Sequence, residues 1–135
     1  MKRLVDFKKA FPVSHRLFQF VMQAAQFPEL KLAYSEGQIG WIPYILERAD
    51  TVWQEHRAWG EVKDIVPEPP STYYYRQMYG CFFRDQHGID SLEKVGIDNI
   101  TFETDYPHTD STWPNTKEVA TELMRGVAPD VVEKI

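Results

Sequence analysis

Apolar positions in this chain fall into two rhythms, one helical and one of short extended runs. After Ser14, a residue suited to cap a helix, Leu17, Val21, Ala24 and Ala25 return to one helical face, and Phe18, Phe20 and Met22 widen it. The pattern predicts a buried helix that stops before Pro28, since the residue ahead of a proline disfavours helical backbone. Leu30 to Glu36 is short and mostly apolar and predicts a strand, followed by a turn from Gly37 to Gly40. From Trp41 to His56, Ile42, Ile45, Leu46, Ala49, Val52 and Trp53 recur at three- and four-residue steps, with Pro43 in the first turn. That predicts a second helix. A proline-rich loop, Val66 to Ser71, leads to a strand expected from Arg76 to Phe83. Asp90 to Val95 reads as one or two helical turns ended by Gly96. Asn99 to Tyr106, β-branched and aromatic, reads as a third strand. Beyond a polar loop, Pro107 to Asn115, helices are expected over Thr116 to Arg125 and Pro129 to Ile135.

Helices and strands that alternate in this way predict an α/β fold with a parallel sheet. The gaps between strands are long enough for the crossovers that parallel neighbours need. A doubly wound sheet and part of a (β/α)8 TIM barrel both fit, and periodicity does not separate them. The 135 residues suit one domain. A hydrophobic fraction of 43%, rich in Phe, Tyr and Trp, speaks for a packed core and against disorder. No apolar run approaches the roughly 18 residues of a membrane helix; even Leu17 to Ala25 is broken by Gln19 and Gln23. Net charge is −5, so the basic footprint of a nucleic-acid binder is lacking. Cys81 is the one cysteine, which excludes an intramolecular disulfide and a thiolate metal cluster. The basic N-terminus has no apolar core behind it and is not a signal peptide; the expected compartment is the cytoplasm.

In parallel α/β folds, ligands bind at the C-terminal ends of the strands. Here those ends carry Ser35-Glu36-Gly37, Phe83-Arg84-Asp85 and Glu103-Thr104-Asp105-Tyr106-Pro107-His108. Asp105 follows an apolar strand, where a carboxylate can bind a divalent cation, act as a general base, or simply cap and brace a loop. His108 can polarise a substrate oxygen, hydrogen-bond Asp105 or brace its loop. Glu36 has a comparable status at the first strand end, with Gly37 and Gly40 allowing a ligand near the backbone; the plain alternative is a turn closed by an acidic residue. Trp41 and Trp113 follow strand ends and can wall a substrate, although a tryptophan at a helix start is more often core. His15, His56 and His87 show no ligand spacing, and Cys81, in mid-strand, is expected to be buried and inert. Phosphate-loop, dinucleotide, G-x-S-x-G, H-E-x-x-H and H-x-H signatures are all missing.

Two long stretches share a resemblance. Phe27-Pro28-Glu29-Leu30-Lys31-Leu32-Ala33-Tyr34-Ser35-Glu36-Gly37, continued by Ile39-Gly40-Trp41-Ile42-Pro43-Tyr44-Ile45-Leu46-Glu47-Arg48, resembles the later half of the amidohydrolase-related metal-dependent hydrolases, a group that includes the aminocarboxymuconate semialdehyde and resorcylate decarboxylases. Asn99 to His108, with Asp110-Ser111-Thr112-Trp113-Pro114, resembles the last barrel strand and loop of that family. The resemblance implies a (β/α)8 barrel with a divalent metal, often zinc, held by an H-x-H, a middle-strand histidine and a last-strand aspartate. Asp105 matches that aspartate. Glu36 stands where the decarboxylases have a histidine acid or base, Gln38 stands where a second glycine is usual, and the H-x-H and middle histidine have no counterpart.

A catalytic zinc takes about three protein ligands and a barrel about 250 residues. The expectation is therefore the C-terminal portion of a barrel, about three strands with covering helices, as a single partial domain over residues 1–135. The parent reaction would be hydrolysis or decarboxylation of a small carboxylic or aromatic substrate. Asp105 would be the metal ligand, Glu36 a proton-transfer or site-orienting group, and His108 and Trp113 the substrate-binding wall. The isolated chain is expected to show no turnover, and its open sheet edges favour self-association, as a homo-oligomer, or aggregation. The alternative is a stand-alone non-catalytic α/β interaction or scaffold domain.

Overall fold

The computed structural model describes residues 20–58 and 64–135. The start of the first expected helix, Ser14 to Gln19 with His15, lies outside them. The described residues form two compact units. One comprises residues up to Lys31 together with Tyr44–Gln77; the other comprises Leu32–Pro43 and Met78–Ile135.

The first unit is helical. Helix α1 covers residues 20–26 and buries Val21 and Ala24. Helix α2, Ile42–His56, whose first two residues fall in the second unit, starts one residue later than expected and buries Ile42, Leu46, Ala49, Val52 and Trp53 of the stripe that its spacing predicts, with Ile45 half-buried. The Trp53 indole N–H donates to the carbonyl of Val66 at 2.8 Å. Helix α3, Pro70–Gln77, stands where the sequence pattern predicts loop to Ser71 and strand from Arg76. Three nearby prolines and a run of tyrosines look unlike a helix. Pro70, however, occupies the first turn, where a missing N–H costs nothing. The Asp50 carboxylate accepts from the Ser71 N–H at 2.9 Å and from its hydroxyl at 2.6 Å, a cap supplied from elsewhere in the chain. Tyr73, Tyr74 and Gln77 are buried on its inner face, and the Gln77 amide donates to the carbonyls of Phe27 and Leu30.

The second unit holds a parallel three-stranded sheet in the order β1 (Leu32–Tyr34), β2 (Met78–Phe82), β3 (Ile100–Phe102). Leu32 pairs with Met78 and Tyr34 with Gly80, while Gly80 pairs with Ile100 and Phe82 with Phe102. The expected α/β class is therefore present as a mixed helix and strand fold, compatible with part of a barrel. All three strands are shorter than the spans expected of them. Glu36 at φ 60° and Asp105 at φ 57° adopt left-handed backbone, which ends the extended path after β1 and β3. Arg76 and Gln77 belong to α3 rather than β2.

Met78, Gly80 and Phe82 face the core, and Phe82 meets Phe102 edge-on at 5.6 Å. Cβ atoms alternate across a strand, so Cys81 lies on the opposite face, half-buried rather than buried, with Sγ 3.1 Å from Thr101 Oγ1. Gly80 is glycine because a Cβ there would stand 2.9 Å from Ile39 Cγ2. Around the sheet lie α4 (Gln86–Asp90), α5 (Leu92–Val95, ended by Gly96 at φ 95°), a 3-10 turn (Ile97–Asn99), α6 (Thr116–Leu123) and α7 (Pro129–Lys134). The expected Asp90-to-Val95 turns are thus two helices, and the first opens earlier because Asp85 caps it. No helix among the described residues is long and apolar enough to cross a membrane.

Candidate functional site

Parallel strands deliver their C-terminal loops to one end of the sheet. The loop after β1 is fixed there by carboxylates from the two later strands. Glu103 accepts from the Ser35 hydroxyl at 2.6 Å and the Glu36 N–H at 2.5 Å. Asp85 accepts from the Ile39 N–H at 2.7 Å and the Gly40 N–H at 2.5 Å with one oxygen, and from the Gly88 N–H at 2.8 Å with the other. Only glycine fits at position 40, where a Cβ would meet Asp85 Oδ1 at 2.7 Å. The same loop holds left-handed Gln38 at φ 56°, whose Oε1 lies 3.4 Å from the donating Phe83 N–H.

The loop after β3 is braced from within. Glu103 N–H donates to the Phe82 carbonyl at 2.9 Å, extending the pairing with β2. Buried Thr112 donates its N–H to the Thr104 carbonyl at 3.0 Å, and His108 N–H donates to the Asp105 carbonyl at 2.9 Å. Left-handed backbone at a non-glycine residue costs on the order of 1–3 kcal/mol and persists where surroundings enforce it. Glu36 and Asp105 both carry that strain at the ends of the two outer strands.

These constraints bring three predicted residues together. His108 Nδ1 lies 2.7 Å from Asp105 Oδ1 and 3.6 Å from Glu36 Oε1. One ligand-capable atom from each of Glu36, Asp105 and His108 falls within 4.8 Å of the others. The Asp105 side chain is only 10% exposed, while those of His108 and Glu36 are 60% and 54% exposed, so the group opens to solvent over a sheltered carboxylate.

The hydrogen bond that His108 donates to Asp105, the charge of Asp105 and the charge of Glu36 raise the His108 pKa above the ordinary histidine value. Because the folded value is the raised one, protonated His108 contributes stability in full below the ordinary histidine range. That contribution disappears as pH rises through the raised value. Thermal unfolding of the wild type and His108→Gln between pH 5 and 8.5 should show the wild type losing its advantage as pH rises; parallel curves would contradict the pairing.

Trp113 is exposed and packs edge-on against exposed Tyr106, with ring centroids 5.3 Å apart. Trp41 is 48% exposed rather than core, and its indole N–H donates to the Gly37 carbonyl at 2.7 Å. Half-buried His56 on α2 and exposed His87 on α4 take no part in the trio. Asp85 and Glu103, noted in sequence only as members of acidic strand ends, are the residues that hold the loop after β1. Composition carried no sign of that role, because the amides they bind lie far away in sequence.

A family model described as amidohydrolase matches residues 14–135. No curated protein matches the chain.

Proposed function

Because the chain belongs to the amidohydrolase family, which generally binds a divalent metal, we propose that it carries part of the metal site of a hydrolase-type enzyme. The supporting observation is the convergence of Glu36, Asp105 and His108. Two carboxylate oxygens and an imidazole nitrogen suit a divalent first-row ion, and zinc is our first choice. In this reading Asp105 is the central ligand, sheltered and held by its backbone. His108 Nδ1 ligates after losing its proton. Glu36 offers one carboxylate oxygen to the ion and keeps the other for proton transfer. A bound divalent ion would polarise a substrate carbonyl and acidify a water. Trp113 and Tyr106 form an aromatic wall beside Asp105 for a small carboxylic or aromatic substrate undergoing hydrolysis or decarboxylation.

The sequence has no H-x-H and no middle-strand histidine. The reading therefore assigns those ligands to a longer protein and predicts ion binding without turnover for this chain alone. The test is titration of the purified chain with Co2+, followed by visible absorption and calorimetry. One ion per chain, displaced by Zn2+, is the expected result. Absence of binding at millimolar Co2+ would refute the assignment.

A further inference from the structure

Glu36 poses a positioning problem. Its side chain is long and half exposed, and its backbone sits in left-handed geometry that a non-glycine residue rarely holds. Its Oε1 nevertheless lies 3.6 Å from His108 Nδ1. Asp85 holds the far side of this loop, and the restraint on Glu36 itself comes from Glu103, the residue that follows β3. Both oxygens of the Glu103 carboxylate are engaged, Oε1 by the Glu36 N–H at 2.5 Å and Oε2 by the Ser35 hydroxyl at 2.6 Å. This two-point grip fixes the peptide that enters Glu36. Glu103 is itself anchored, since its N–H donates to the Phe82 carbonyl on the central strand. It also stands two residues before Asp105. A single residue thus ties the backbone of Glu36 to the strand end that presents Asp105 and His108. Carboxylate hydrogen bonds to N–H and O–H donors are short and stronger than neutral ones, so the tie is stiff.

The geometry assigns Glu103 as the positioning residue that holds Glu36 against Asp105 and His108 for cation binding, an inference that rests on the metal reading above. Groups that orient ligands in this way typically change metal affinity about 10- to 100-fold when removed.

The experiment is Co2+ titration of the full chain for wild type, Asp105→Asn, Glu103→Ala, Glu103→Gln, Glu36→Ala and the Glu36→Ala/Glu103→Ala double variant, with thermal midpoints recorded in parallel. Glu103→Ala should weaken binding about tenfold. Glu103→Gln should stay within about threefold of wild type, because an amide oxygen still accepts from Glu36 and the amide NH2 can meet the serine hydroxyl. The double variant should bind no more weakly than Glu36→Ala alone, since the two residues act as one unit. A merely structural role would lower the thermal midpoint without this dependence on Glu36.

If wild type binds one ion and Asp105→Asn loses it, but Glu103→Ala binds like wild type or weakens the Glu36→Ala variant further, the inference is overturned and the metal reading stands. If wild type binds no ion, the metal reading fails and the inference with it. Should Glu103→Ala not fold, Glu103→Asp keeps the charge and shortens the reach by one methylene. The same Glu36-dependent weakening is then expected, and wild-type affinity would overturn the assignment.

Discussion

Asp85→Ala should destabilise the chain by about 3 kcal/mol, which for a domain of this size lowers the unfolding midpoint by roughly 10 °C. Its carboxylate accepts from three backbone N–H groups, those of Ile39, Gly40 and Gly88. Ile39 is fully buried, so water cannot easily replace the lost acceptor near it. Loss of the α4 cap alone is worth about 1 kcal/mol. The other two bonds add to it without full additivity, because all three share one side chain. Asp85→Asn keeps one acceptor oxygen and should lose about half as much. Urea or thermal unfolding of the three proteins gives the ranking, and an alanine variant as stable as wild type would remove Asp85 as an anchor. The loop in question carries Glu36, so the same variant should also blunt Co2+ binding.

The second large effect is at Asp105. Asp105→Asn should lower divalent-metal affinity by roughly 100-fold or more, since loss of a ligand outweighs the 10- to 100-fold typical of supporting residues. Above the raised His108 pKa, where the charged pair is lost in any case, folding should be little affected, because asparagine tolerates the left-handed backbone seen there at φ 57°. Asp105→Ala removes the carboxylate and also places a less suitable residue in that backbone, so it should cost about 1 kcal/mol of stability besides. Asp110→Asn, at an exposed acid in the same loop, is the control and should retain the metal. Metal content after dialysis, measured beside the thermal midpoints, separates these outcomes. Full metal retention by Asp105→Asn would take Asp105 out of the site.

Where an element is decided by its own repeat, the sequence was sufficient. Ile42, Leu46, Ala49, Val52 and Trp53 mark the buried face of α2 without help from any other segment. Helix α3 escaped because its start depends on Asp50, twenty-one positions away, and its tyrosines are compatible with either state. The strands were overextended for a related reason. The expected strands run past Tyr34 into Ser35-Glu36 and past Phe102 into Glu103 to Tyr106, while the left-handed turns at Glu36 and Asp105 leave no mark on composition.

The site was legible in part. The rule of strand ends in parallel sheets selects Glu36, Asp105 and His108, and the His108–Asp105 hydrogen bond is among the readings it allows, but nothing in the sequence brings Glu36 to that pair. Their meeting depends on Glu103 and on the pairing of β1, β2 and β3. No spacing rule reports which distant amide a carboxylate will find.

The bond between Ser35 and Glu103 joins positions 68 apart in the sequence. An ion on the proposed trio would reinforce that same long-range closure and would have no comparable partner in the unfolded chain. Heat resistance then becomes a gauge of ion supply. At free ion about one hundred times its dissociation constant, folding gains about 2.7 kcal/mol, and a chelator takes it away again. The cluster would act as a chemical thermostat for the fold, independent of whether any substrate is ever turned over.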